Sequence, residues 1–386
     1  MKKKICVITG NRAEYGLLKK LIFLLNSDKD INLNLVVTGS HISKEFGNTY
    51  KEILNDGIKI KEKIPILTSS DKPVDICNSI GKGVIEFSKS LERLKPHIVV
   101  LLGDRYELLS VATACLVCQI PIAHIHGGET TLGAIDESIR HSITKMSLLH
   151  FVTTLNHKRR VIQLGEDPKK VFHVGGFGHD AISSFKFSKK NQLEKMLNIQ
   201  FLKKNIIFTY HPVTLDRNES RKQINTILKA IKKFKDIYFI FTMANSDTYG
   251  KVINKEIIKF VKKNKNTVFF QSLGQQNYYN CLKYVDAIMG NSSSGILEAP
   301  SFNLPVINIG DRQKGRDQAN NVINIDLSYS NILNAIKKIY SKEFKNINIK
   351  LKSPYGKKNA SMSTYKIIKK VNFQNTKKKF FDFYNV

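Results

Sequence analysis

The densest chemistry in this chain lies between positions 124 and 145. The residues read His124-Ile-His-Gly-Gly-Glu129 and, after a six-residue spacer, Asp136-Glu-Ser-Ile-Arg140-His-Ser-Ile-Thr-Lys145. Three carboxylates, three histidines, an arginine and a lysine therefore share one short stretch. An apolar run, Ile120-Pro-Ile-Ala123, leads into it. The pattern predicts a buried strand, a glycine turn and a helix. Asp136 would stand in the first helical turn, where the dipole favours a carboxylate. Asp136 and Arg140, like Glu137 and His141, are four apart and would share a helix face. Titratable groups crowded at the end of a buried strand suit proton transfer. The plainer alternative is a solvated helix face above two core histidines. His124 and His126 are also spaced like a metal-ligating pair on a strand, with Glu129 nearby. No second ligand cluster accompanies them, so no metal is expected.

A second kind of chemistry is anion binding. Asn291-Ser292-Ser293-Ser294-Gly295 follows an apolar run and precedes a short helical stretch. Hydroxyls and free backbone N–H groups at a helix start suit a diphosphate. An ordinary N-cap turn would account for one serine, not three. Glu298, one turn on, is placed to accept from a ribose. Arg12, Arg312 and Arg316 fall in loops expected at strand ends, where guanidinium forks match phosphate oxygens. Gly103-Asp104-Arg105, His211-Pro212 and Ala244-Asn245-Ser-Asp247 also follow strand-like runs. Gly176-Phe-Gly-His-Asp-Ala181 formally fits a dinucleotide motif, but it follows the last strand of the first block, and no suitably placed acidic residue comes after it. Chance explains it better, and no nicotinamide or other cofactor is expected. There is no P-loop.

These loops need elements to hold them. Strand-like runs are expected at 5–9, 33–38, 97–102, 120–126, 149–153 and 171–174. After a polar, basic tract the rhythm restarts at 205–210, 237–243, 267–271, 284–289, 304–309 and 322–325. Continuous Val/Ile/Leu runs separated by helical stretches imply parallel sheets buried on both faces. Two such blocks imply two doubly wound α/β domains, at 1–182 and 183–360. The remainder, 361–386, should pack back on the first domain. Ligands of such sheets bind outside the carboxyl ends of the strands. Two of these edges facing one another would make one interdomain cleft.

Composition narrows the classes. With 386 residues and 42% hydrophobic content the chain can bury two cores. No apolar run approaches the ~18 residues that span a bilayer. The apolar segment after Met1-Lys-Lys-Lys4 is too short for a secretory signal. Five cysteines without framework spacing indicate a reducing, cytoplasmic setting. Cys115-Leu-Val-Cys118 lies in an apolar helical stretch and reads as small core residues. The formal charge of +30 is spread along helices as lysine, with only Lys377-Lys-Lys-Phe-Phe381 forming a local patch. Nucleic-acid binders cluster such charge or interleave it with stacking aromatics. Neither a nucleic-acid nor a membrane partner is expected.

Taken together, Gly10-Asn-Arg-Ala-Glu-Tyr-Gly16, Gly103-Asp-Arg105, His124 to Glu129, Asp136 to Lys145, His211-Pro-Val-Thr214, Gly290 to Gly295 and Gly310-Asp-Arg-Gln-Lys-Gly-Arg316 resemble the hydrolysing UDP-N-acetylglucosamine 2-epimerases. The resemblance runs from about residue 5 to 325, with every motif in order. It implies the GT-B fold: two Rossmann-like domains, an interdomain cleft, the nucleotide held mainly by the second domain, and a carboxy-terminal helix crossing back. It implies conversion of UDP-N-acetylglucosamine, or a UDP- or GDP-linked N,N'-diacetylbacillosamine, to the nucleoside diphosphate and the free 2-epimer. The route would be a 2-acetamidoglucal, in bacterial sialic or legionaminic acid synthesis. Arg12, Ser292, Ser293 and Arg316 match positions that hold the diphosphate, and Glu298 matches one near the ribose. Asp104, Asp136 and His211 match catalytic positions. Many relatives carry glutamate where this chain has His126, whereas the sialate and legionaminate branch has histidine. Whether His126 or Glu129 takes the acid–base role stays open. Arg105, Arg140, Asn245 and Arg312 complete the expected substrate-binding set. A nucleotide-sugar substrate and a homo-oligomer, dimer or tetramer, are the expected partners. The alternatives are a GT-B glycosyltransferase and a non-catalytic nucleotide-sugar-binding protein.

Overall fold

The computed structural model describes residues 2–68, 70, 72–131, 135–183, 185–212, 219–244, 250–342, 344, 351, 353–357, 359–373 and 377–382. The chain forms two compact units. The first comprises Met1–Glu129, Asp136–Ser183 and Lys357–Val386, and the second Thr130–Ile135 and Ser184–Gly356. Thr130, Thr131 and Ile135, ahead of Asp136, thus group with the second unit, although the sequence on both sides belongs to the first.

The first unit is built on seven parallel strands: β1 (Lys3–Thr9), β2 (Ile31–Thr38), β3 (Ile60–Ile64), β4 (Ile98–Leu102), β5 (Ile122–Ile125), β6 (Leu149–Val152) and β7 (Val171–His173). Their order is β3-β2-β1-β4-β5-β6-β7, so the winding reverses between β1 and β4. Register pairs Ile5 with Ile98 and Val7 with Val100. Alternation along the strands sends Ile5, Val7, Val37 and Val100 into one core, and Cys6, Ile8, Val36 and Val99 into another. Both faces are apolar, which is why the strands read as unbroken hydrophobic runs.

β3 was not expected from the sequence. Its residues, Ile60-Lys-Glu-Lys-Ile64, set three consecutive charged side chains between two isoleucines at the edge of the sheet. Charged side chains blunt an edge strand, and they also hide it from a search for apolar runs. Helix Arg12–Ser27 begins directly after the β1 loop, with Asn11 as its N-cap. Arg12 is therefore a helical residue, not the loop residue expected. The last helix, Ala360–Lys370, places Ala360 and Ile368 in the first unit's core.

The second unit repeats the plan with six parallel strands: β8 (Lys204–Thr209), β9 (Ile237–Thr242), β10 (Thr267–Phe270), β11 (Ala287–Gly290), β12 (Val306–Ile309) and β13 (Val322–Ile325). The order is β10-β9-β8-β11-β12-β13, with the reversal between β8 and β11. Ile206, Phe208, Phe239, Phe241, Met289 and Ile307 lie in its core. Tyr284, expected to open a strand, instead ends helix Gly274–Tyr284, and β11 starts at Ala287. Among the described residues no helix is long and apolar enough to cross a membrane.

Candidate active site

In each sheet the loops at the reversal point carry the residues of interest, as expected for ligand sites of doubly wound sheets. In the first unit the β4 loop brings Asp104 and Arg105 and the helix after it Glu107, while the β1 loop brings Gly10 and Asn11 and the helix after it Arg12 and Glu14. The β5 loop and helix Asp136–Met146 supply the rest.

Arg140 organises this set. Its guanidinium is 1% exposed and forms an ion pair with the half-buried Asp104 carboxylate. Its Nη1 donates to the Glu129 carbonyl at 2.8 Å and lies 3.6 Å from the Glu137 carboxylate. An arginine buried this deeply must have its charge met by anions, and Asp104 and Glu137 meet it. Arg140 thus reaches beyond its own helix to Asp104, and within the helix Glu137 and His141, four apart on one face as expected, lie 3.2 Å apart. Asp136 is buried at the start of the same helix.

The two histidines of the β5 run part company. His124 is fully buried on the strand, its Nε2 2.7 Å from the Gly103 carbonyl and its Nδ1 3.1 Å from Thr144 Oγ1. A carbonyl can only accept, so Nε2 carries the proton. Burial, with neighbouring histidines, pushes the His124 imidazolium down to about 3, and the ring is a neutral strut between the β4 loop and helix Asp136–Met146. β5 ends at Ile125, and His126 adopts a left-handed backbone with φ of 67°. That turn takes its ring off the alternation of the strand. Its Nδ1 lies 3.3 Å from Glu129 Oε1, and its ring meets Phe177 edge-on. Glu129, 1% exposed, also accepts from Thr153 Oγ1 at 3.3 Å, and Thr153 in turn contacts His157 Nδ1 at 2.7 Å. His124 and His126 are therefore held by different partners. They are one strut and one member of a His–Glu dyad. Among the described residues no cluster could hold a metal ion.

A buried carboxylate pair lies at the reversal point itself, and sequence reasoning did not name it. Glu14 accepts from Gly10 N–H at 2.7 Å and from the Asn11 amide at 2.5 Å. Glu107 is fully buried and lies 3.3 Å from Arg105. Burial and the charge of Glu107 push Glu14 up to about 8, against the opposing hydrogen bond from Gly10. The available signal was Glu107, a carboxylate in the first turn of the otherwise apolar helix Tyr106–Val117.

The second unit holds the anion chemistry. His211 N–H donates to Asn291 Oδ1 at 2.7 Å, and Asn291 Nδ2 returns a bond to the His211 carbonyl at 2.9 Å. This clasp joins the β8 and β11 loops. Gly290 between them has φ of 129°, and a Cβ there would lie 1.9 Å from the Thr209 carbonyl oxygen, so only glycine fits. Ser292 and Ser293 follow, half-buried, ahead of the single helical turn Ser294–Leu297. Arg312 and Gln313 donate to the Asn291 carbonyl at 3.3 and 2.8 Å. Arg316 Nη2 lies 3.4 Å from Thr131 Oγ1 in the spacer, and Thr130 donates to the Gly315 carbonyl. Glu298 accepts from Ser294 Oγ at 2.6 Å and Tyr279 hydroxyl at 3.1 Å, and its removal from water raises its pKa against both bonds.

Ser292, Ser293, Glu298, Arg312 and Arg316 all belong to this unit. Arg12 does not: it lies in the first unit, where Glu52 engages its fork at 2.6 and 2.9 Å. Asn245 lies outside the described residues.

A family model described as UDP-N-acetylglucosamine 2-epimerase matches residues 24–369. A Campylobacter jejuni protein named GDP/UDP-N,N'-diacetylbacillosamine 2-epimerase (hydrolyzing) is 46% identical over 345 residues, 89% of each chain. An Escherichia coli polysialic acid biosynthesis protein is 37% identical, covering 100% of this chain and 98% of its own length. The Neisseria meningitidis UDP-GlcNAc 2-epimerase, solved with UDP-GlcNAc, superposes with a TM-score of 0.81 at 20% identity, over 95% of this chain and all of that one. That likeness gives the fold, two Rossmann-like parallel-sheet units of the GT-B class. A family model spanning most of both units and a relative 46% identical agree with the loops at both reversal points, and the chain belongs to the UDP-N-acetylglucosamine 2-epimerase family.

Proposed function

We propose that this protein is a hydrolysing nucleotide-sugar 2-epimerase acting on a GDP- or UDP-linked N,N'-diacetylbacillosamine. The products are the nucleoside diphosphate and free 2,4-diacetamido-2,4,6-trideoxymannose, a precursor in legionaminic acid synthesis. One observation carries the choice of sugar: the 46% identical relative is named for that substrate. UDP-N-acetylglucosamine, giving N-acetylmannosamine, is the second reading. It is favoured by the polysialic acid protein at 37% identity. The two sugars differ at C4 and C6, where single small groups are worth only ~1–3 kcal/mol of discrimination.

The reaction takes two steps. A base removes the C2 proton, the C–H electrons form the C1–C2 double bond, and the C1–O bond to the diphosphate breaks. Water then adds at C1 of the 2-acetamidoglucal while an acid returns a proton to C2 on the opposite face. C2–H is a weak acid, so the base and the leaving anion must be stabilised together. Asp104 and Asp136 are assigned the proton transfers, with the His126–Glu129 dyad completing the acid–base set. Arg140 holds Asp104 in place through its buried ion pair. Ser292, Ser293, Arg312 and Arg316 are assigned to the diphosphate, Glu298 to the ribose and His211 to the catalytic set.

Incubating the enzyme in heavy water with each of the three sugar nucleotides tests both the chemistry and the substrate. The expected product carries one deuterium at C2 and appears fastest from a diacetylbacillosamine nucleotide, with EDTA present or absent. Unlabelled C2 would remove the elimination route. Nucleotide released only when an acceptor is supplied would point instead to a glycosyltransferase.

A further inference from the structure

The basic–aromatic stretch near the carboxyl terminus has no part in the reaction above, yet its residues are fastened to the first unit. Glu166 is the anchor. Its carboxylate is 2% exposed and accepts from His150 Nε2 on β6 at 2.9 Å, from Lys145 Nζ at 2.9 Å, and from Lys378 Nζ at 2.7 Å. Burial alone would raise its pKa, but the bonds from His150, Lys378 and Lys145 hold it down to about 2. A buried carboxylate needs such partners, and one of the three comes from more than two hundred residues away.

Lys378 does more than neutralise Glu166. Its Nζ donates to the Lys145 carbonyl at 2.6 Å and to the Ser147 carbonyl at 2.7 Å. These lie at the carboxyl end of helix Asp136–Met146, where the last carbonyls lack intrahelical partners and the dipole attracts a cation. Nearby, Phe381 N–H donates to the Gly165 carbonyl at 2.9 Å, and Lys145 Nζ stands 4.5 Å over the Phe380 ring. One face of that ring lies against Gly165, where a Cβ would come within 2.4 Å of it. The ring is still 63% exposed, so Lys378 is the principal tie.

The helix so capped is the one that carries Asp136 and Arg140. Thr144, beside the capped end, holds His124, and His124 holds the Gly103 carbonyl next to Asp104. We propose that residues 377–382 are a strap that positions helix Asp136–Met146 for catalysis, with Lys378 the positioning residue and Glu166 its anchor. The catalytic half of this inference rests on the functional reading above. A short segment without regular structure is ordered only where it is tied down, and the tie here reaches the helix that carries Asp136 and Arg140.

The test uses the full chain with Lys378→Met, which keeps an apolar stem and removes the charge and the donors. Backbone amides of residues 141–148 should exchange roughly tenfold faster than in the parent, because the capped turn opens locally. On folded enzyme, kcat should fall about five- to twentyfold while KM changes less than about twofold, the pattern of lost positioning. Lys378→Arg, which keeps the charge, should recover much of both. Unchanged amide exchange would overturn the strap. Faster exchange with unchanged kcat would overturn its catalytic role and leave a stabilising contact only. If Lys378→Met does not fold, Lys378→Gln carries the same two readouts. If the parent releases no nucleoside diphosphate from any sugar nucleotide, the functional reading falls, and amide exchange still decides whether the strap holds the helix.

Discussion

His126 stands in a left-handed backbone conformation that few residues other than glycine adopt readily. Such a conformation persists only where the surroundings hold it, and it recurs at functional sites. Here it turns the ring toward Glu129. Asp136→Asn keeps the size of the side chain but removes the basic carboxylate. We expect kcat to fall by at least about a hundredfold with KM within a few-fold, measured as release of the nucleoside diphosphate. Full activity in this variant would remove Asp136 from proton transfer. His126→Gln retains hydrogen bonding without the possibility of a cation and should show a smaller loss.

Glu14 offers a test through pH. Its pKa is raised to about 8 in the fold, so between the ordinary carboxylate range and about 8 the native state binds more protons than the unfolded chain. Stability from this group is therefore lost as pH rises across that window. Glu14→Gln should flatten the fall in melting temperature between pH 5 and 8, whatever it does to the absolute value. An unaltered slope would mean that Glu14 is ionised in the native protein.

At the scale of elements, the β11 loop combines strand geometry with a binding function. Gly290 lets β11 approach the Thr209 carbonyl, and the Asn291 side chain then clasps His211. This leaves Ser292 and Ser293 at the start of a single helical turn. Ser293→Ala combined with Arg316→Ala should raise KM and weaken nucleoside diphosphate binding by roughly ten- to a hundredfold, with kcat little changed, since both assigned contacts are made in ground and transition states alike. Calorimetric titration with UDP and GDP measures this. Affinity equal to the parent would mean that the diphosphate lies elsewhere.

At the scale of the whole molecule, the first unit is assembled from three separated segments. Its carboxy-terminal segment supplies Ala360 and Ile368 to the core, and Lys3 Nζ donates to the carbonyls of Ile368, Lys369 and Val371 at the end of that helix. Tyr365 and Lys369 reach Asp28 at 2.6 and 2.7 Å. A chain ending at residue 356 loses all of these, along with the strap. Its first unit should melt roughly 10 °C or more below that of the full chain, as judged by calorimetry. An unchanged transition would show that the unit closes its core without the segment.

Local pattern determined much of this protein. Among the described residues, apolar runs marked twelve of the thirteen strands, because strands buried on both faces have nowhere to put a polar side chain. Glycines and polar clusters after those runs marked the loops at the reversal points, and ordered motifs identified the family. The pairings came only from the tertiary structure. Asp104 meets Arg140 across 36 positions, Lys378 meets Glu166 across 212, and neither separation has a local signature. The charged edge strand β3 escaped because a one-sided strand at an edge does not look like a core strand. His124 and His126 share a spacing but not a role, because the chain leaves the strand between them and one imidazole stays buried while the other turns to a carboxylate.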